Sequence, residues 1–294
     1  MVFENPFQTE GEWLKGNLHT HTTLSDGQQT PHERVAAYEA RGYDFLALTD
    51  HDVLADLESL SPRRLTLIRG IEVVGDNSVG GPPYHIVGLG LPRTFDLSDT
   101  RDAQALIDAI RAAGGQAVVA HPYWCGLTLR DLEVLTGTLG VEVFNATCLR
   151  TIGKGTSAVQ WTELLTQGKR VFGLAVDDAH QATRDAFQGW VMVKAAERSA
   201  KGVMDALAAG RFYATCGPTI EAMSVTGTRV WVRTSPVAHI SFISDGSRGG
   251  HVFCEDGSPV TEGEHSVSGG DVFVRVECTD AAGRTAWSNP IFLR

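Results

Sequence analysis

Between about residue 14 and residue 215, short apolar runs alternate with stretches whose apolar residues recur at helical spacing. Thr30-Pro31-His32-Glu33 is a capping box with proline at the first helical position, and it predicts a helix that ends near Gly42. DFLALTDHD then reads as a buried strand, an apolar run of the kind a parallel sheet produces. Ser98 or Asp99 is expected to open a second helix, with Ala103, Leu106, Ile107 and Ile110 on one face and its end at Gly114-Gly115. QAVVAHP and LGVEVFNA are the next strands, and Ser157 is expected to cap a helix whose Trp161, Leu164 and Leu165 face inward. VFGLAVDDAH and GWVMVKA are two more strands, and Ser199 to Gly210 forms a last short helix bearing Val203 and Leu207. Repeated β-α units predict an α/β fold: a parallel sheet with helices outside, open or closed into a barrel.

After Gly217-Pro218 the helical spacing stops. MSVTGTRVWVRT, AHISFIS, GGHVFC, DVFVRVECTD and TAWSNPIFL are short alternating segments separated by Gly, Ser, Asp and Pro. They predict a small antiparallel sheet or sandwich of about 75 residues, so the chain divides into 1–215 and 216–294. No internal repeat of 20–50 residues is present.

Composition narrows the class. The chain has 294 residues, enough for one large domain or two smaller ones, and 43% of them are apolar, which is ordinary for a filled core. A net charge of −10 and the lack of a basic stripe argue against nucleic acid as an obligate partner. The five cysteines, Cys125, Cys148, Cys216, Cys254 and Cys278, are odd in number and contain no C-x-x-C pair. They read as reduced and mostly buried, which favours the cytoplasm. MVFENPFQTEGEW lacks the basic start and apolar core of a signal peptide. No apolar run reaches the roughly 18–20 residues of a membrane span. The expectation is a cytoplasmic protein without a membrane partner.

Nine metal-capable side chains change the picture, because each sits where an apolar strand runs out. They are His19, His21 and Asp26 in GNLHTHTTLSDG, His51 in FLALTDHD, Glu72 in LIRGIEVV, His85 in YHIVGLGL, His121 in AVVAHPYW, and Asp178 and His180 in LAVDDAH. That recurrence predicts convergence on one rim of a sheet or barrel, where sites form at strand ends. His19 and His21, two residues apart in an extended segment, point to the same side. Mixed nitrogen and oxygen donors suit Zn, Mn or Fe better than Mg or Ca.

The order of HTHTTLSDG, ALTDHD, GIEVV, HIVGLGL, AHP and DAH resembles the PHP (polymerase and histidinol phosphatase) superfamily of metal-dependent phosphoesterases, over roughly residues 13–215. GEWLKGNLHTHTTLSDG and GRFYATCGP resemble more narrowly the CehA/McbA-like metallohydrolase branch, some of whose members cleave carbamates or other carboxylic esters and amides. The resemblance implies a distorted (β/α)7 barrel, here followed by a small C-terminal antiparallel β domain, with two or three divalent transition metals. Carried residue by residue, it implies that His19, His21, Glu72 and Asp178 hold a first metal. Glu72 would bridge to a second, held also by His85 and His121, and Asp26, His51 and His180 would hold a third. It further implies a metal-bridging hydroxide as nucleophile, with Glu72, His121, Asp178 and His180 as the catalytic set.

Asp50 and Asp52, beside His51, read as turn carboxylates or as partners that orient the ligands, and Asp177 as either an orienting partner or a solvated residue. Tyr123 and Trp124, just after His121, are candidates for an apolar wall over a leaving group, or else for core. Asn145 ends a strand at the rim and could hydrogen-bond a substrate. Arg150, Lys154 and Arg184 lie on loops where they could pair with a phosphate or stay solvated. His239, His251 and His265 have no metal-like spacing, and His32 falls in an exposed first helical turn.

The first reading is therefore a metal-dependent hydrolase of a small-molecule phosphate monoester or diester. The alternative is a carbamate, carboxylic ester or amide hydrolase using the same centre. A non-catalytic PHP scaffold module stands third, since such modules lose ligands and this chain keeps all nine.

Overall fold

The computed structural model describes residues 4–96 and 100–293, and the helices that open at Pro31, Ala103 and Ala200 begin behind side-chain caps. The strand β1 (Glu12–Asn17) leads to α1 (Pro31–Ala40), whose Thr30 hydroxyl accepts from Glu33 N while Glu33 Oε2 accepts from Thr30 N at 2.8 Å. Next come β2 (Phe45–Leu48), β3 (Thr66–Asn77) and β4 (Pro83–Leu89). Helix α2 (Ala103–Ala112) starts behind Asp102, whose carboxylate accepts from Ala105 N at 2.8 Å; Ser98 and Asp99 lie outside the described residues. Its Ala103, Leu106, Ile107 and Ile110 are buried, as their spacing predicts.

The strand β5 (Gln116–Val119) is followed by the short helices α3 (Pro122–Cys125) and α4 (Leu129–Leu132), then by β6 (Gly140–Asn145) and α5 (Ala146–Ile152). Ser157 precedes α6 (Ala158–Thr166) but does not cap it with its side chain: its hydroxyl accepts Tyr123 N at 3.1 Å and so ties α3 to α6. The alternating part closes with β7 (Phe172–Val176), β8 (Trp190–Ala195), α7 (Ala200–Ala208), capped by Ser199, and β9 (Phe212–Thr215).

The strands β1 to β7 lie side by side in chain order, but the sheet is mixed rather than wholly parallel. Strand β4 runs antiparallel to both β3 and β5, whereas β1–β2, β2–β3, β5–β6 and β6–β7 are parallel. The reason is the short link 78–82, which can close a hairpin but cannot carry the crossover that a parallel pair needs. The chain beyond β7 returns to the chain beyond β1: Thr20 and Ala179 form a parallel bridge, Asp178 N donates to His19 O at 2.9 Å, and His21 N to Ala179 O at 3.0 Å.

The C-terminal part is entirely β: β10 (Ile220–Thr226), β11 (Arg229–Val237), β12 (His239–Ser244), β13 (Gly249–Phe253), β14 (Val260–Ser266), β15 (Phe273–Thr279), β16 (Thr285–Ser288) and β17 (Ile291–Phe292). Three of these strands make a separate sheet in the order β10–β11–β14. The others continue the large sheet, because β16 pairs with β9, and β9 with β8. Apolar packing follows the same seam: Phe273, Trp287 and Phe292 are buried in one cluster with Phe144, Trp161 and Phe212. Arg275 is buried there too, its guanidinium 4.4 Å from the centre of the Trp161 ring and donating to Thr162 Oγ1 at 2.8 Å, with Glu277 as its ion partner.

All five cysteines are free; Cys125, Cys148 and Cys278 are buried, and Cys216 and Cys254 half-buried. Among the described residues, no helix is long and apolar enough to cross a membrane.

Candidate metal centre

The nine side chains converge. His19 and His21 follow β1, and Asp26 sits in a turn where Ser25 N and Gly27 N both bond Thr22 O. Gly27 is required in that turn, since a Cβ there would lie 2.5 Å from the His21 carbonyl. His51 follows β2, His121 follows β5 as the residue before α3, and Asp178 and His180 follow β7. Glu72 and His85 depart from the strand-end rule. Glu72 lies within β3, beyond its pairing with β2, and forms a lone bridge with His51. His85 lies near the start of β4, and because β4 is reversed, its first residues reach the rim that its neighbours reach with their last.

Three groups of ligand atoms form, each with all its atoms within 4.8 Å of one another. In the first, His19 Nε2 is 3.0 Å from both His21 Nε2 and Glu72 Oε2 and 3.3 Å from Asp178 Oδ1. In the second, Glu72 Oε1 lies 2.8 Å from His85 Nδ1 and 3.3 Å from His121 Nε2. The third joins His21, Asp26, His51 and His180, with Asp26 Oδ2 3.3 Å from His180 Nε2 and 3.8 Å from His51 Nε2. His21 belongs to two groups, turning Nε2 to the first and Nδ1 towards Asp26 at 3.5 Å.

The chemistry of this donor set fits divalent metals. His19 Nδ1 lies 2.6 Å from Glu142 Oε1, which assigns the ring proton to Nδ1 and turns the lone pair of Nε2 towards the cluster. His180 is oriented in the same way, its Nδ1 2.7 Å from the Asp178 carbonyl. Acceptors therefore face acceptors, and Asp178 Oδ1 and His51 Nδ1 are buried without a hydrogen-bond partner. Among the ion pairs of the described residues, Glu72, Asp178 and Glu142 pair only with histidines. Buried carboxylates without Lys or Arg require cations from elsewhere, either protons on the imidazoles or metal ions.

Proton affinities follow that logic. Burial alone would depress the His19 imidazole, but Asp178, Glu142 and Glu72 more than reverse this and raise it well above its ordinary value. His21, likewise opposed by burial, is raised to about 9 by Asp178 and Glu72. Glu72, despite a burial penalty, is held well below the usual carboxylate range by His19 and by hydrogen bonds from His121, His19 and His21. Two of the nine also have left-handed backbone, His121 at φ 29° and Asp178 at φ 55°. Side-chain-bearing residues adopt that region at a cost, and functional sites are where such conformations collect.

Several supporting residues escaped the sequence analysis. Glu142 is buried in β6; its Oε2 accepts His121 N and Asn145 Nδ2, both at 2.9 Å, while Oε1 holds His19. The sequence signal was a carboxylate between two valines in the apolar run LGVEVFNA, and the structure buries all six residues of that strand. Arg34 on α1 is fully buried and donates to three carbonyls, His21 O, Gln181 O and Ala179 O, at 3.1, 2.9 and 3.1 Å, which fastens the two ligand loops together. Asp185 accepts from His180 N and Gln181 N, both at 3.0 Å.

Asp50 is an orienting partner, accepting from Thr22 N and Oγ1 and from Ser25 Oγ. Asp52 turns away to pair with Arg101. Asp177 is buried rather than solvated, because Tyr38 Oη and the amides of Phe187, Gln188 and Gly189 all donate to it.

A cavity of about 470 Å3 opens over the cluster. Trp124 lines it, edge-on to the rings of His121 and His85 at centroid distances of 5.1 and 5.7 Å. Tyr123 is exposed outside the lining, with Lys154 over its ring. Asn145 is placed beneath the cluster, not on the wall: its Nδ2 is engaged by Glu142 and Asp178, and its Oδ1 accepts Cys148 N at the start of α5. Arg150 turns to Gln188, and Arg184 is exposed and outside the lining. His239 and His251 lie together on β12 and β13, and among the described residues no metal-capable group of three includes them or His265.

No protein-family model matches the chain. Over 149 residues it is 28% identical to an uncharacterized protein of Methanocaldococcus jannaschii, spanning 45% of this chain and 82% of that one. It is 42% identical over 79 residues to a 3',5'-nucleoside bisphosphate phosphatase of Chromobacterium violaceum, a match to 26% of this chain and only 27% of the relative. Among solved structures it resembles, with a TM-score of 0.52 and 18% identity across 100% of both chains, a two-domain protein of Bacteroides vulgatus described as containing a predicted PHP-like metal-dependent phosphoesterase. That likeness is one of fold, a mixed α/β protein with a large central sheet.

Proposed function

We propose that this chain is a metal-dependent hydrolase acting on a phosphate monoester or diester. Glu72 carries the reading. Its Oε2 faces the group of His19, His21 and Asp178, while its Oε1 faces His85 and His121. With its two oxygens facing two donor groups, Glu72 would contribute a ligand atom to a metal in each. Asp26, His51 and His180, with His21, would hold a third cation on the solvent side. Divalent Zn, Mn or Fe bound there would acidify water and neutralise charge developing on phosphoryl oxygens. The chain's own contribution is orientation: Glu142 sets the His19 ring and the His121 backbone, and Arg34 holds the ligand loops together. The names of the curated relative and of the structural neighbour support the phosphoester reading.

The bridge between Thr20 and Ala179 supports reading the run β1 to β7 as a distorted barrel. We place the end of this metal-binding part near residue 215, with the β-rich remainder packed along the seam of Phe273, Trp287 and Phe292.

A second reading, hydrolysis of a carboxylic ester or carbamate by the same centre, is favoured by Trp124 standing over His85 and His121. The test is a screen of manganese- or zinc-loaded protein against p-nitrophenyl phosphate, bis-p-nitrophenyl phosphate, and aryl esters and carbamates. Phosphoester turnover that is lost on chelation and restored by metal is the expected result. Ester or carbamate turnover with no phosphoester turnover would overturn the first reading in favour of the second.

A further inference from the structure

We propose that the cavity selects phosphoesters whose organic group is uncharged and apolar, an aryl group above all, and discriminates against those that carry a second anionic group. This inference rests on the phosphoester reading of the same centre.

The cavity has two unlike parts. Its floor is the cluster of histidines and carboxylates, where a phosphoryl group would be held. Its wall is made on one side by Trp124 from α3 and by Thr147, Cys148, Thr151 and Ile152 from α5, and on the other by Gln181 and Asp185 beyond β7. On α5, Cys148 and Ile152 are one turn apart, as are Thr147 and Thr151, so a single helix face supplies that side. The two hydroxyls are already engaged: Thr147 Oγ1 donates to the Asp178 carbonyl at 2.6 Å, and Thr151 Oγ1 to the Thr147 carbonyl at 2.8 Å.

No lysine or arginine lines the cavity among the described residues. Of the nearby cations, Arg101 pairs with Asp52 at 2.8 Å, Arg150 turns to Gln188 at 2.7 Å, Lys154 lies over the Tyr123 ring, and Arg184 is exposed outside the lining. A second phosphate or a carboxylate laid on the Trp124 and α5 side would lose water against carbon and find no lysine or arginine there, with the Asp185 carboxylate on the other side. An aryl ring there buries apolar area and meets the indole of Trp124, which is 39% exposed and so open to contact. Ile152 is 58% exposed at the same mouth and adds aliphatic surface to that wall. The volume of about 470 Å3 is of the size that takes a small organic group.

The test is calorimetric titration of the manganese-loaded full chain with three non-hydrolysable probes: phenylphosphonate, methylphosphonate and 2-carboxyethylphosphonate. Phenylphosphonate should bind at least about tenfold tighter than methylphosphonate, and 2-carboxyethylphosphonate no tighter than methylphosphonate. Trp124→Ala should bring the phenyl-over-methyl preference down to about threefold or less. Ile152→Lys, at an exposed position, should instead tighten 2-carboxyethylphosphonate by about fivefold. Equal binding of phenyl- and methylphosphonate, tighter binding of the carboxyethyl probe than of the phenyl probe, or an undiminished preference in Trp124→Ala would overturn the inference. Failure of the protein to hydrolyse any phosphoester would instead overturn the phosphoester reading, while the order of phosphonate affinities still decides what the wall selects.

Discussion

The Glu142 carboxylate lies 2.6 Å from His19 Nδ1 through one oxygen and accepts the His121 backbone amide through the other. One buried side chain thereby orients donors of two different ligand groups. Glu142→Gln retains only half of that arrangement. If its oxygen faces His19, its NH2 faces the donors His121 N and Asn145 Nδ2; if it is flipped, the NH2 faces the Nδ1–H of His19. The variant should fold and lose about 10–100-fold in metal affinity, read by chelator competition. Wild-type affinity would show that Glu142 has no orienting role.

Arg275 provides a test of the seam between the β-rich part and the rest. Its guanidinium stacks on Trp161 and donates to Thr162, both in α6, although Arg275 itself lies on β15. Arg275→Ala removes the stacking and leaves Glu277 without its cation, which should cost about 3 kcal/mol and lower Tm by roughly 5–10 °C. A thermal melt within about 1 °C of the parent would contradict this coupling.

Much of the centre was legible in sequence because metal ligands are short motifs tied to strand termini. His19, His21, His51, His121, Asp178 and His180 could be placed on a common rim without knowing which strands pair. The reversal of β4 was not seen in the run of apolar residues, which looks alike in either direction; only the short link 78–82 carried that information. Glu142 was passed over because LGVEVFNA reads as one apolar strand, and its partner His19 is 123 residues away. Arg34 was hidden for a related reason: a guanidinium on a helix reads as solvated until its three carbonyl partners are known. The strand β14, VTEGEHS, has few apolar residues and was not singled out; it pairs with β11 at the edge of the small sheet.

Metal binding should depend on pH with a definite sign. Opposed by burial but favoured by Asp178 and Glu72, His21 has its pKa raised to about 9 in the metal-free protein, so at neutral pH it carries a proton that a metal must displace. Affinity should therefore rise between pH 6.5 and pH 8.5, with protons released on binding, as calorimetry in buffers of different ionisation enthalpy would read. The same shift bears on stability. A histidine whose folded pKa exceeds its unfolded value of about 6.5 stabilises the metal-free fold fully below that value and loses the contribution as pH rises through about 9. Chelated protein should thus melt lower at pH 9.5 than at pH 7, and metal-loaded protein should show a smaller drop. Affinity independent of pH would contradict this electrostatic account.

The central claim is that the nine converging side chains hold the metals with which the chain hydrolyses phosphoesters. The most direct measurement combines metal content and p-nitrophenyl phosphate turnover in the parent and in Asp178→Asn, since asparagine tolerates the φ of 55° at that position. The account predicts two or three tightly bound transition metals per chain in the parent and at least one fewer in the variant. Turnover should fall by about 100-fold or more, with the far-ultraviolet spectrum unchanged. Parent-like metal content and turnover in Asp178→Asn would contradict it, as would a parent that binds less than one metal per chain and hydrolyses no phosphoester.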